Sequence, residues 1–379
     1  MIKHFKVRGL NHTLDYDLAF NPDLNIVTGK NGSGKTTLLK LIWYMLSPNV
    51  ERTVPEIVFT SAKLQTDSFT LEIERKPTKA RERVVVQYTG PDKKTHVTEL
   101  WSDEFRQPWC SEKIEEVNRL MMQVPTGSVF FPTFRRIEGG FSLESDDRLR
   151  GFDHRAGMPI GEAMAGYSNM MTVRQHKFVA SISTADVEDL LTRQYAEVSE
   201  KTNALHTELS QFISTTITGD RPSRQKRQST TARTGEVTAE QILTLIKAKV
   251  GDIEERRQQL MKPFSVLATL IAEIFKDKGI RVTPHLAFGE TKEAIRATIL
   301  SAGEKQMLSF MCYNGFNRGI PIFIDEPELS LHIDWQRLLF PTLLSQGTAN
   351  QFIVSTHSPF IYSKYPEKEL VLALDKGGQ

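Results

Sequence analysis

Residues Gly29 to Thr37 read GKNGSGKTT and match the phosphate-loop pattern G-x-x-x-x-G-K-[ST]. An apolar strand pattern precedes them and an apolar helical pattern follows. Gly29, Gly32 and Gly34 let the backbone wrap closely around phosphate, with Asn31 and Ser33 between them. The N–H groups of the loop and of the helix start then point at the anion. Lys35 brings a positive charge to the outer phosphates, and the Thr36 hydroxyl, followed by Thr37, suits Mg²⁺. A second stretch, IPIFIDEPELSLHIDWQ, runs along an apolar strand to Asp325 and Glu326. Asp325 is placed to hold Mg²⁺ through water, and Glu326 to orient and deprotonate an attacking water. His357 follows a further apolar run, in STHSP, and could donate to a terminal phosphate or to that water. Taken singly, these residues also fit a glycine turn, a solvated strand end and a structural histidine. Their order and spacing favour nucleoside triphosphate chemistry.

A fourth stretch, LSAGEKQ (Leu300 to Gln306), runs into the apolar MLSFM. Ser301, Gly303 and Glu304 would open a helix at an anion. A phosphate loop already covers one side of a bound nucleotide. This second helix start therefore makes sense facing the terminal phosphate of a nucleotide held by another copy.

These residues need an α/β scaffold. HFKVRGL and LNIVTG read as short strands with a turn at NPD between them. SFTLEIERK and RVVVQYTG read as a hairpin turning at PTKARE, and TGSVFF as a strand ending at Pro132. IPIFIDE and QFIVSTH are continuous apolar runs, as in parallel strands covered on both faces, and ELVLALDKGG is a further strand candidate. LLKLIWYML (Leu38 to Leu46) reads as a buried helix. Between the halves, apolar positions from Val187 to Ile213 and from Ile242 to Ile253 recur at helical spacing. Thr238 and Gln241 suit a capping box, and Pro263 a bend. Two helices of about 30 residues would project roughly 45 Å. We therefore expect an N-terminal half at 1–180, a helical hairpin at 181–278 and a C-terminal half at 279–379.

The 379 residues carry a formal net charge of +2, with 39% apolar and 25% charged residues. That balance singles out no strongly charged partner. The cysteines, Cys110 and Cys312, are far apart and form no CxxC, which excludes a disulfide framework or a zinc site of that kind. The opening MIKHFKVRGL is too charged for a signal peptide, and no apolar run approaches the roughly 20 residues of a membrane span. A cytoplasmic protein without a membrane partner is expected.

LSAGEKQ closely resembles the signature motif of the ABC ATPases. With the phosphate loop, the Asp-Glu strand end and the histidine, four elements stand in that family's order. The resemblance covers 1 to about 140 and about 280 to 379. It implies an ABC-type head, with a mixed or parallel core sheet, that forms a head-to-tail homodimer or higher even-numbered oligomer around ATP and Mg²⁺. Ser301 and Gly303 would then contact the partner's γ-phosphate, and Ser330 and Leu331 occupy the D-loop position. DEPELSLH, the GEKQ ending and the inserted helical arm resemble the RecF, Rad50, SMC and OLD branch. A transporter subunit is a poorer match. VFFPTFRRIEGG resembles a segment of stand-alone ATPases in bacterial anti-phage systems, Septu-type and retron-associated ones included. Arg135 and Arg136 in it could reach phosphate or a partner, or pair with the neighbouring acid.

The pattern also departs from the family. Neither Gln87 nor Gln123 makes a convincing Q-loop glutamine, the arm is short and lacks a zinc hook, and no nuclease motif is present. The resemblance thus implies an ATPase acting with a separate effector, such as a nuclease, in phage defence or DNA repair. The alternative is an ATP-gated scaffold with little turnover that holds a toxic effector. Arg221, Arg224, Lys226, Arg227 and Arg233 lie in a stretch without acids near 220–234. They fit either a solvated hairpin tip or a salt-sensitive contact with nucleic-acid phosphate.

Overall fold

The computed structural model describes residues 1–78, 81–104, 112–133, 136–137, 160–182, 184–218, 239–275 and 301–372. The chain forms two units, Met1–Val187 with Ala297–Gln379, and Glu188–Arg296. The basic residues at 221–233, Thr238, Arg135, Cys110 and Leu300 lie outside the described residues.

In the first unit, β1 (Ile2–Leu10), β2 (Leu14–Ala19), β4 (Ser61–Thr66), β5 (Thr70–Pro77), β6 (Glu82–Thr89) and β7 (Thr95–Trp101) form one antiparallel sheet in the order β2-β1-β4-β5-β6-β7. Its strands alternate buried and exposed positions, as a sheet with one face on a core requires. The β5–β6 hairpin keeps its register down to Pro77 opposite Glu82. One expectation fails here. The segment between the first two expected strands holds more than a turn, because β2 folds back on β1 before the chain reaches 24. Its LDYDLA sequence alternates Leu14, Tyr16 and Leu18 with the exposed Asp15 and Asp17, but aspartate is depleted in strands.

The second sheet is parallel throughout: β10 (His176–Phe178), β8 (Ser128–Phe131), β12 (Pro321–Asp325), β13 (Gln351–Ser355), β3 (Leu24–Thr28) and β14 (Glu369–Val371), in that order. Every residue of β3, β8, β12 and β13 is buried. Such strands read as unbroken apolar runs because both faces are covered. A short parallel pair, β9 (Arg136–Ile137) and β11 (Ser181–Ile182), lies beside them in sequence.

Helix α1 (Lys35–Leu46) packs against β4 on one side and against β12 and β13 on the other. It is apolar almost all round, which suits a helix enclosed by two sheets. Trp43 lies against Phe130 and Phe178 and donates its indole N–H to Ser128 Oγ at 3.0 Å. Helices α2 (Thr53–Glu56), α3 (Glu112–Met121) and α4 (Ile160–Met171) complete the N-terminal part.

The second unit is built from α5 (Thr184–Thr218), which begins four residues before it, and α6 (Ala239–Ile274). Tyr195 packs edge-on against Phe264, and Lys249 bonds Glu208 at 2.5 Å. These two pairings run in opposite senses along the chain, so the helices are antiparallel. α6 continues through Pro263. Back in the first unit, α7 (Ala302–Phe316), α8 (Ile333–Ser345) and α9 (Pro359–Tyr362) follow, and Cys312 is buried in α7. No described helix is long and apolar enough to cross a membrane.

Candidate nucleotide site

In a parallel sheet, ligands gather at the carboxyl ends of the strands. β3 ends there in the phosphate loop, β12 in Asp325 and Glu326, and β13 in Ser355 to His357, and β13 lies between the other two. Sheet order alone therefore brings three of the sequence stretches to one edge.

The loop itself is shaped by glycine. Gly32 and Gly34 have φ of 86° and 74°, values that L side chains rarely adopt. Gly34 caps α1, whose first N–H groups lack partners within the helix. The Lys35 ammonium is buried and donates to the carbonyls of Gly29 at 2.9 Å and Lys30 at 3.1 Å. Burial lowers its pKa, and Glu326, Asp325 and Glu328 oppose that shift through their charge. Asn31, Gly32 and Thr36 are exposed, and Gly29 and Thr37 are half-buried. Ser33 is buried, and its hydroxyl finds no hydrogen-bond partner. Its carbonyl accepts from Tyr16 on β2 at 2.8 Å.

Asp325 is fully buried, and both of its carboxylate oxygens are engaged. Ser355, its register partner on β13, donates its hydroxyl to Oδ1, and Thr133, just past β8, donates to Oδ2. Glu326 follows with φ of 49°, a left-handed conformation uncommon outside glycine. Its N–H donates to the Ser355 carbonyl at 2.9 Å. Burial raises the Glu326 pKa, and Asp325 and Glu328 add to the shift, while His357 and Lys35 act against it. A raised carboxylate is the better proton acceptor near neutral pH.

Thr36 and Asp325 offer a hydroxyl and a carboxylate, a hard oxygen set of the kind that Mg²⁺ accepts alongside water and phosphate. The orphaned Ser33 hydroxyl and the ammonium held by loop carbonyls fit a triphosphate in the loop. The residues present thus suit both groups.

The signature stretch begins α7. Ser301 is the N-cap and forms a capping box, with its N–H donating to Glu304 Oε2 at 2.7 Å and its Oγ accepting from the Glu304 N–H at 3.4 Å. The Glu304 carboxylate thus bonds its own helix start, whereas Ser301 is exposed. Gly303 lies so close to the turn after β12 that a Cβ there would sit 2.4 Å from the Ser330 carbonyl oxygen. Gln306 donates to the Pro327 carbonyl at 2.8 Å. α7 packs against α8, β9 and β11, and its N-terminus is registered to the 327–330 turn. Gln87 is exposed on β6 and Gln123 is exposed after α3.

Sequence reasoning singled out Lys35, Asp325, Glu326 and His357 but not Tyr16, Thr133 or Ser355, which bond the loop and Asp325. For Thr133 and Ser355 the usable signal was a hydroxyl residue at the carboxyl end of a buried strand.

A family model described as "AAA domain, putative AbiEii toxin, Type IV TA system" matches residues 161–363, more than half of the chain. The chain belongs to this AAA family. A second model, for ABC transporter domains, matches residues 16–150. Together with the parallel sheet and its loops, these matches make the fold that of an ABC-type ATPase head. No curated protein matches the chain. Among solved structures it is distantly similar to an Smc head bound to the C-winged helix domain of ScpA, at 12% identity and a TM-score of 0.37 over 96% of this chain and 91% of the other. An Smc head with an extended coiled coil, bound to the C-terminal domain of ScpA from Pyrococcus furiosus, aligns at 13% identity and 0.37 over the same shares. The Smc head with a coiled coil and joint from Pyrococcus yayanosii aligns at 12% and 0.38, over 96% of this chain and 93% of that one.

Proposed function

We propose that this chain is an ATP-hydrolysing head that closes on a second copy around ATP and thereby controls a partner effector. The observation that carries this reading is the gathering of Lys35, Asp325, Glu326 and His357 at the carboxyl ends of three neighbouring parallel strands. The phosphate loop and Lys35 bind the triphosphate. A bound Mg²⁺, held through Thr36 and Asp325, would neutralise phosphate charge. Glu326 orients a water toward the γ-phosphorus and accepts its proton. His357 donates to the γ-phosphate.

Ser301 and Gly303, exposed and half-buried at the start of α7, contact the γ-phosphate of the partner's nucleotide. A helix N-terminus opened by a serine cap supplies N–H donors and a favourable dipole for that anion. The Glu304 carboxylate instead keeps the cap in shape.

The AAA family's description names a toxin of a type IV system. That wording fits a role in defence; the effector is our own proposal, with a nuclease as the candidate. Phosphate release measured for wild type, Glu326→Gln and Lys35→Ala tests the core of the reading. Glu326→Gln should lower turnover about 100-fold or more while retaining ATP. Lys35→Ala should lose ATP affinity. A wild type that binds ATP without Mg²⁺-dependent release would instead be a gated scaffold.

A further inference from the structure

Two side chains downstream of the Asp-Glu pair grip the segment that carries His357. Glu328 is half-buried, two residues past Glu326. Its Oε2 accepts from the Thr356 hydroxyl at 2.8 Å and its Oε1 from the His357 backbone N–H at 2.7 Å. Gln336, in the first turns of α8, donates through Nε2 to the Leu331 carbonyl at 2.8 Å, and its Oε1 accepts from the Ser358 hydroxyl at 2.5 Å. The ring of bonds closes through Thr356, whose Oγ accepts from the Ser358 N–H at 2.9 Å. Thr356 and Ser358 are buried, whereas His357 between them is exposed.

The chemistry of the ring is specific. Both carboxyl oxygens of Glu328 accept, one from a side-chain hydroxyl and one from a backbone N–H. Thr356 and Ser358 each use the hydroxyl both to donate and to accept. A strand end that merely needed termination would require fewer bonds. Here the groups flanking one exposed imidazole are fixed from the segment 328–336. Ser330 and Leu331 lie within that same segment, and Gly303 of the signature helix abuts it.

We propose that Glu328 and Gln336 are positioning residues. They hold His357 at the hydrolytic pocket and tie its backbone to the Ser330–Leu331 turn. The role of His357 rests on the function proposed above. A partner that moves the Leu331 carbonyl acts through Gln336 on Ser358, and so on the histidine. Consistent with this placement, His357 and Glu328 both act electrostatically on Glu326.

Hydrogen–deuterium exchange of the nucleotide-free protein tests the bonds, and steady-state ATPase kinetics test their use. In Glu328→Ala and Gln336→Ala, amides of 356–360 should exchange about tenfold faster or more than in wild type. kcat should fall about tenfold with KM unchanged. Glu328→Gln keeps an acceptor for the His357 N–H and should recover part of the loss. In a His357→Ala background, Glu328→Ala should add no further loss of kcat. Unchanged exchange overturns the inference, as does a raised KM at constant kcat or a loss that multiplies in the His357→Ala background. Faster exchange in the variants of a chain whose wild type does not turn over ATP would sink the hydrolytic reading and leave the brace standing. Should Glu328→Ala lose its circular-dichroism signal, Thr356→Val and Gln336→Ala carry the same comparison.

Discussion

Asp325 cannot be judged from its own chemistry alone. A fully buried carboxylate is tolerable only where donors meet it, and the Ser355 and Thr133 hydroxyls do so. Ser355→Ala removes one donor to a charged acceptor. We expect a loss of about 1–3 kcal/mol in urea unfolding, with more Mg²⁺ needed for half-maximal phosphate release. His176 gives a pH prediction of its own. Its Nδ1 lies 2.9 Å from Ser128 Oγ, and burial lowers its pKa to about 4. Above pH 6.5 the ring is neutral in both states and makes no difference. As pH falls from 6.5 toward 4, the unfolded chain takes up a proton that the fold refuses, so stability declines by about 3 kcal/mol in all. His176→Asn should flatten that slope, read from urea midpoints across this range. The phosphate loop and the Asp-Glu pair were legible because each is a local pattern with fixed spacing. Thr133 and Ser355 were not, because each meets Asp325 from the end of a neighbouring strand. Thr133 lies 192 positions from Asp325.

At the scale of elements, unbroken apolar runs revealed β8, β12 and β13, and helical spacing revealed α1, α5 and α6. Strand β2 escaped because aspartate is depleted in strands, although Asp15 and Asp17 fill its exposed positions, and Tyr16 was lost with it. The capping box of α7 was half legible. Ser301 and Glu304 sit at the right spacing, but sequence reasoning gave Glu304 to the nucleotide rather than to the cap. Ser301→Ala should lower stability by about 1 kcal/mol in urea unfolding. Gly303→Ala is a harsher change, because the added carbon meets a backbone carbonyl oxygen that has no rotamer to escape into. It should lower the unfolding free energy by about 1–3 kcal/mol.

For the whole molecule, the proposed assembly predicts a change of mass. Glu326→Gln with ATP and Mg²⁺ should run as a dimer in light scattering, and as a monomer without nucleotide. Adding Ser301→Arg should block the dimer while each copy still binds ATP. Replacing Arg221, Arg224, Lys226, Arg227 and Arg233 with serine should weaken nucleic-acid binding and flatten its salt dependence if these residues touch phosphate; identical titrations would remove that contact. Strand patterns resume in the sequence after the helical insertion, but which strands become neighbours was not readable there. That order has a consequence for synthesis. β3 leads into the phosphate loop at residue 29, yet its neighbours on both sides are β13 and β14, at 351–355 and 369–371. Gln351 also reaches back to the N–H and carbonyl of Ile2, 349 positions away. On the ribosome, the cradle for phosphate stays without lateral support until those strands emerge. With the nucleotide role proposed above, a nascent copy would then have no braced loop for ATP before His357 is made.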